Sequence, residues 1–275
     1  MNLNCGWALV LALACAAGAQ ELPLYTCWKT AQPVVVDGKA DEPAWQEAAP
    51  IDLVDVRFLS GDRYPTRRTE ARMLWDAQYF YFYFSAADPD VWSTYSQRDM
   101  QLYEEEVVEI FIDPDGDGQN YAEVELNPLN AVFDLLLSKP WSKSGKGYAE
   151  WNPALLSAVQ IMGTLNNLAD VDQGWSAEIA LPWEGLNSPL LDVPGPRALP
   201  PQPGDEWRLN LYRYEQVRQS GAKNEVQASA WSPVGKVDFH VPERFGKVVF
   251  GNRSTAVEAQ SWSEVKAEAK KASAP

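Results

Sequence analysis

Residues Tyr103 to Pro128 read YEEEVVEIFIDPDGDGQNYAEVELNP, and this stretch decides the fold. Over residues 107–113 the chain alternates: Val108, Ile110 and Ile112 point one way, Glu109, Phe111 and Asp113 the other. The alternation resumes at Tyr121, with Ala122, Val124 and Leu126 opposite Tyr121, Glu123, Glu125 and Asn127. Two period-two runs joined by DPDGDG predict a hairpin, because Asp, Pro and Gly supply the turn geometry. One face is aliphatic and packs on a core. The other collects carboxylates, an amide and aromatic rings, and is the expected working surface, a solvent-facing platform for a polyhydroxylated ligand.

Upstream, residues 69–87 predict a second hairpin that turns at Asp76-Ala77-Gln78. Residues 79–84 are aromatic at every position, the mark of a central strand covered on both faces. Residues 34–36 and 51–58 predict short strands. Between them, Asp41-Glu42-Pro43-Ala44-Trp45 predicts one helical turn, capped by Asp41, with Trp45 plugging the core. Downstream, strands are expected over 131–137, 159–165, 175–181, 207–213, 226–231 and 247–250, and a single helical turn over 182–186. Many short strands separated by turn signals, with no long amphipathic helix, give an all-β antiparallel sandwich with long loops.

The first twenty residues, MNLNCGWALVLALACAAGAQ, hold an apolar run too short to span a bilayer, followed by Ala17-Gly18-Ala19. They predict an export signal (residues 1–19) cleaved after Ala19; lipidation at Cys15 is the alternative, against a poor lipobox. Residues 20–32 are expected to be a lead-in, 33–250 the sandwich, and 251–275 a polar tail, disordered or weakly helical. The protein is thus expected to be secreted or periplasmic, with no later run of transmembrane length. Of three cysteines only Cys27 lies beyond the signal, so no intramolecular disulfide can form. The core must come from packing, for which 12 Trp, 11 Tyr and 9 Phe provide large buried areas. A net charge of −15 repels nucleic acid and anionic membrane but suits neutral sugars and divalent cations.

Asp113, Asp115 and Asp117 imitate the start of an EF-hand loop, yet position twelve is Val124, where a bidentate Glu is required. The stretch reads first as an acidic hairpin turn, with a structural calcium ion of another geometry as the alternative. Glu109 and Glu125 share a face of adjacent strands, so a carboxylate pair for glycoside hydrolysis competes with simple hydrogen bonding to sugar hydroxyls. Tyr103, Trp92, Trp141, Trp151, Phe239 and His240 fall in expected loops, where rings could stack on the C–H face of a sugar. Trp75, Trp175, Trp183 and Trp207 are expected in the core. His240 is the only histidine, so a His-based metal centre and a Ser-His-Asp hydrolase are both poorly supported.

Taken together, the blocks VVVDGKADEPAW, ARMLWDAQYFYFYF, YEEEVVEIFIDPDGDGQNYAEVELNP, GWSAEIALPW, GDEWRLNLYR, WSP and HVPERFGKVVF resemble, in order, the family 9 carbohydrate-binding modules and their exported relatives. The resemblance runs over residues 33–250. It implies a distorted immunoglobulin-like, DOMON-like sandwich with a few single-turn helices. In the sugar-binding members two aromatic rings clamp a terminal saccharide and charged residues bond its hydroxyls. By position the acid is Glu109, and the clamp rings fall at Tyr103 and at Phe239, with His240 beside it. The family's modules carry Trp at both clamp positions and a basic residue where Glu125 stands. Both departures change the expected ligand: another saccharide in place of reducing-end glucan or xylan, or none. Some members hold structural metal ions, which favours calcium. Haem-binding cousins use axial Met with His or Lys; Met73 is expected in a core strand, Met100 and Met162 lie elsewhere, and His240 has no evident partner.

The expected function is therefore that of an exported, non-catalytic carbohydrate-binding protein serving carbohydrate catabolism, alone or beside separately made glycoside hydrolases. Its ligand would be a plant-type polysaccharide or its chain end, held by Tyr103, Glu109, Tyr121, Glu125, Asn127, Phe239 and His240. A hydrolase using Glu109 and Glu125, a haem domain and a ligand-free scaffold are the alternatives.

Overall fold

The structure, a computed structural model, describes residues 21–58, 66–187, 199–218 and 225–252. The expected export signal and most of the expected tail lie outside the described residues. Fourteen strands are described: β1 Leu24–Lys29, β2 Ile51–Asp52, β3 Val54–Asp55, β4 Thr69–Trp75, β5 Tyr79–Ala87, β6 Val107–Asp113 and β7 Tyr121–Leu126, then β8 Val132–Leu137, β9 Gly147–Tyr148, β10 Leu156–Met162, β11 Gly174–Pro182, β12 Glu206–Val217, β13 Glu225–Ala230 and β14 Gly246–Gly251. Two short α-helices, α1 Pro43–Glu47 and α2 Trp183–Leu186, complete the regular structure with three 3₁₀ turns at Leu102–Glu104, Trp141–Lys143 and Pro242–Arg244.

Eleven of these strands form one continuous path, β10-β11-β5-β4-β1-β14-β12-β6-β7-β8-β9, with β2 paired to β4 and β13 paired to both β12 and β3. That ribbon curls, so that Phe80, Phe82 and Phe84 of β5 share a core with Val108, Ile110 and Ile112 of β6, Leu209 and Leu211 of β12, and Phe250 of β14. Rings pack edge-to-face at its centre, Trp207 against Phe250 at 5.1 Å and Trp75 against Phe250 at 5.6 Å. The two halves of the sandwich meet at β1, which pairs in parallel with both β14 and β4. Residues 24–29 are thus a central strand rather than a lead-in, and the sheet is not wholly antiparallel. The short run LYTCWK alternates too weakly for its own sequence to reveal this; its buried positions, Tyr25 and Cys27, acquire their role from the strands on either side.

Residues 34–36 are not a strand. Val34 and Val36 instead lie against the cluster around Trp45, which is fully buried and donates from Nε1 to Glu178 at 2.8 Å. Glu42, not Asp41, is the residue before helix α1, and no side chain caps it.

Near the start of β6 lies a buried ionic network. Arg213 donates to Asp88 at 2.7 Å and to the Ala87 carbonyl at 2.9 Å, and pairs with Glu215 at 3.0 Å; Arg67 pairs with both acids as well. Glu106 lies in the field of this group, and burial with the Asp88 charge pushes its pKa up to about 10. Removing the Arg213 guanidinium would leave the buried acids with the more exposed Arg67 as their one remaining cation among the described residues. Arg213→Leu is therefore expected to cost about 3–5 kcal/mol of stability, read as a lowered urea midpoint; an unchanged midpoint would show that the network contributes nothing net.

Candidate functional site

The register of four adjacent strands builds the floor of the site. Tyr212, Glu109, Glu125 and Phe133 stand side by side across β12, β6, β7 and β8. The next row on the same face holds Asn210, Phe111, Glu123 and Leu135. Side chains two apart on a strand share a face, so Glu123 and Glu125 lie together and directly beside Glu109. One carboxylate oxygen from each of the three lies within 4.8 Å of the others.

Three loops raise the walls. The Leu102–Glu104 turn brings Tyr103, which meets Phe133 edge-on at 6.0 Å. The Trp141–Lys143 turn brings Trp141, half-exposed and set edge-on to His240 at 6.2 Å. Residues 237–240 close the side with Val237, Asp238, Phe239 and His240, and Tyr214 of β12 completes the lining. The result is a cavity of about 620 Å³, large enough for a small cyclic ligand, with acids at the bottom and rings around the mouth.

Burial governs the electrostatics. The Glu109 and Glu125 carboxyls are pushed well above the usual range, Glu109 by burial and then Glu123, Glu125 by burial and then the Glu109 and Glu123 charges. Glu123 is pushed up to about 7 by burial. Neither oxygen of Glu125 has a hydrogen-bond partner, nor does Oε2 of Glu123. Burial lowers His240 to about 4, which leaves it neutral at pH 7 and its Nε2 4.0 Å from Glu123. Asp238 is matched separately, by Lys236 at 2.7 Å and the His240 amide at 3.1 Å.

The structure brings together Tyr103, Glu109, Glu125, Phe239 and His240 on one cavity and adds Glu123 and Trp141, which lie outside the binding set expected from sequence. Period two alone could have included Glu123. The polar face does not meet solvent directly, for Glu109 and Glu125 are 2% and 0% exposed and reach the outside only through the cavity. Phe239 is largely buried, with one ring face stacked on Tyr212 at 4.2 Å, so only its other face or edge is left for the cavity. Two expected ligand contacts lie elsewhere. Tyr121 is fully buried beneath the loop and shares a 2.9 Å hydrogen bond with His240 Nδ1, holding that ring in place. Asn127 donates to Ser93 Oγ and the Tyr95 carbonyl and accepts from the Leu129 and Ala131 amides, so its amide is consumed in shaping the loop before β8. Trp92 and Trp151 do not line the cavity either; each donates its indole N–H to a main-chain carbonyl.

In the hairpin turn, Asp113 accepts from the Gly116 and Gly118 amides at 2.9 Å each, the geometry of an acidic turn, while Asp115 and Asp117 stay exposed. One oxygen of each of the three comes within 4.8 Å of the others. Among the described residues no methionine lines the cavity: Met73 is in the core, Met100 packs by Leu102, and Met162 is exposed. The residues around His240 therefore do not fit a haem with a Met axial ligand.

The model of a family described as carbohydrate family 9 binding domain-like matches residues 36–253. Among solved structures, a family 9 carbohydrate-binding module from Caldicellulosiruptor kristjanssonii in complex with cellotriose is similar at 15% identity and TM-score 0.54, over 84% of this chain and 95% of that one. A family 9 module from the same organism in complex with glucose is similar at 15% identity and TM-score 0.52, over 83% and 97%. A candidate carbohydrate-binding protein from Bacteroides uniformis gives 16% identity and TM-score 0.61, over 84% and 100%. At these identities the likeness shows a shared fold. No protein with a curated description matches the sequence.

The elevated carboxyl pKa values lead to a pH dependence. A buried acid whose folded pKa lies above its unfolded value stabilises the fold below the unfolded pKa, and that stability is lost as pH rises through the folded one. For Glu123 the window runs from about 4.5 to about 7. The double variant Glu123→Gln, Glu125→Gln removes this loss, so its stability relative to the parent should increase as pH rises from 5 to 8. Urea denaturation across that range checks it; a pH-independent difference would mean the acids are compensated in the folded protein.

Proposed function

The chain belongs to the carbohydrate family 9 binding domain-like family, and from that premise we propose that it is an exported, non-catalytic protein that holds a saccharide in the cavity above Glu109, Glu123 and Glu125. One observation carries the reading: the acceptors and the rings that a sugar requires converge on a single cavity of about 620 Å³. Sugar hydroxyls would donate to the glutamates, while Tyr103, Trp141 and the free part of Phe239 would meet the C–H faces. Tyr121 acts behind them by positioning His240. The neighbours crystallised with cellotriose and with glucose support a carbohydrate as the ligand class.

Binding is favoured over hydrolysis because of where the acids stand. A glycosidase needs two carboxyls flanking one bond, about 5–5.5 Å apart for retention and 6.5–9.5 Å for inversion. Here the three acids crowd one side of the cavity, on neighbouring strands of a single sheet face. Export by the leader at residues 1–19 and a role in carbohydrate catabolism beside separate hydrolases complete the proposal. Among the described residues no helix is long and apolar enough to cross a membrane.

Titration calorimetry against a panel of oligosaccharides, with calcium and with chelator, tests the reading. Trp141→Ala should weaken the best ligand about three- to ten-fold, the worth of one stacked ring at ~0.5–1.5 kcal/mol. Binding indifferent to both Trp141→Ala and Tyr103→Ala would move the site elsewhere. A reducing-sugar assay on the same panel should stay flat; turnover abolished by Glu109→Gln would make the protein a hydrolase.

A further inference from the structure

Within the proposed sugar site, the unusual feature is an uncompensated cluster of acids. Buried carboxylates in proteins are ordinarily matched to a cation or to several hydrogen-bond donors, because an isolated buried charge is costly. Most others in this molecule obey the rule. Asp88 and Glu215 have Arg213 and Arg67, Asp134 has Arg98, and Asp55 has Arg57. Glu178 accepts from two amides and the Trp45 indole, and Asp172 from the Val91 and Thr164 amides. Glu106 lacks a direct bond but lies in the field of Arg213.

Glu109, Glu123 and Glu125 have no matching cation; Glu123 and Glu125 lean on one another, and the Tyr103 amide is the one favourable donor facing Glu125. Among the described residues no lysine or arginine lines their cavity, and His240 beside them is neutral at pH 7. Glu125, with no exposed surface, leaves both oxygens unpartnered at the edge of the cavity. Burial holds these carboxyls largely protonated in the free protein; a cationic group entering the cavity would supply the counter-charge that lets them ionise.

Resting on the saccharide reading above, we infer that the ligand is an amino sugar, a saccharide carrying a free primary ammonium that sits among the carboxyls of Glu109, Glu123 and Glu125. The geometry suits an ammonium. Three oxygens no more than 4.8 Å apart share a point lying at most 4.8/√3, about 2.8 Å, from each, so one nitrogen at or just above their plane can reach all three at the length of a charge-assisted N⁺–H···O⁻ bond. An ammonium has three donors, and three carboxyls await them. A calcium ion is less well served, since it takes six to eight oxygens, while the further carboxylate of the lining, Asp238, is already held by Lys236 and the remaining walls are Val237, Phe133, Leu135 and rings. Those rings suit a sugar instead, and the faces of Tyr103 and Trp141 also attract a cation. Acetylation at nitrogen would remove the charge and two of the donors.

Three trimers that differ only at C2 provide the test: β-1,4-linked glucosamine trimer (ammonium), its fully N-acetylated form, and cellotriose (hydroxyl). Calorimetry at pH 6 in chelator should show the glucosamine trimer binding at least ten-fold more tightly than the other two. Glu125→Gln and Glu109→Gln, each near-isosteric and checked for an unchanged circular dichroism spectrum, should each erase most of that preference while some sugar binding remains. Cellotriose binding as tightly as the glucosamine trimer overturns the inference and leaves the saccharide reading intact. Failure of every sugar tested overturns both. Calcium binding to the free protein, lost in Glu125→Gln, overturns the inference by assigning the cluster to a metal ion.

Discussion

A strand in the middle of a folded-over sheet has two faces to bury, and in this protein that constraint falls hardest on β6. All seven of its residues are buried. Its aliphatic face needs nothing further, since Val108, Ile110 and Ile112 join the common core. Its other face carries Glu109, Phe111 and Asp113, and each has been hidden differently. Phe111 is walled in by Tyr121, Tyr212 and Phe245, Asp113 is absorbed into the adjoining turn, and Glu109 is left at the bottom of a cavity. The site exists because loops cover this face everywhere except over the glutamates.

The described residues hold two groups of three buried acids, and the two are compensated differently. In Asp88, Glu106 and Glu215 the charges surround Arg213, an arrangement that acts as an internal fastening. In Glu109, Glu123 and Glu125 the counter-charge is absent and an open path to solvent takes its place. A protein that only required stability would have little reason to keep three mutually repelling carboxyls in one place, because apolar residues of similar size would cost less. Their elevated pKa values record that cost in the free protein.

Much of the architecture was legible because strand periodicity is local. Both main hairpins, the turn at Asp76-Ala77-Gln78, the plug at Trp45 and the inward face of β11 follow from residue order alone. Strand β1 was illegible for the opposite reason: its place between β4 and β14 depends on segments 40 or more positions away along the chain. Tyr121 and Asn127 share their face with the glutamates, which makes them look alike on paper. What separates them is the covering. The loop at His240 lies over Tyr121, and the segment at Ser93 and Tyr95 claims Asn127.

By itself the sequence determined which residues share a strand face, and so that acids and rings would gather on one side of the central hairpin. It also determined a core rich in aromatic rings. Only the tertiary structure decided how deep those acids lie, that Glu123 stands beside Glu109 and Glu125 with no lysine or arginine among the described residues of the lining, and that Trp141 rather than a fully exposed Phe239 rises at the mouth. The reason is physical: facing is set by backbone geometry between neighbours in the chain, whereas burial and charge compensation depend on what distant loops bring over the sheet.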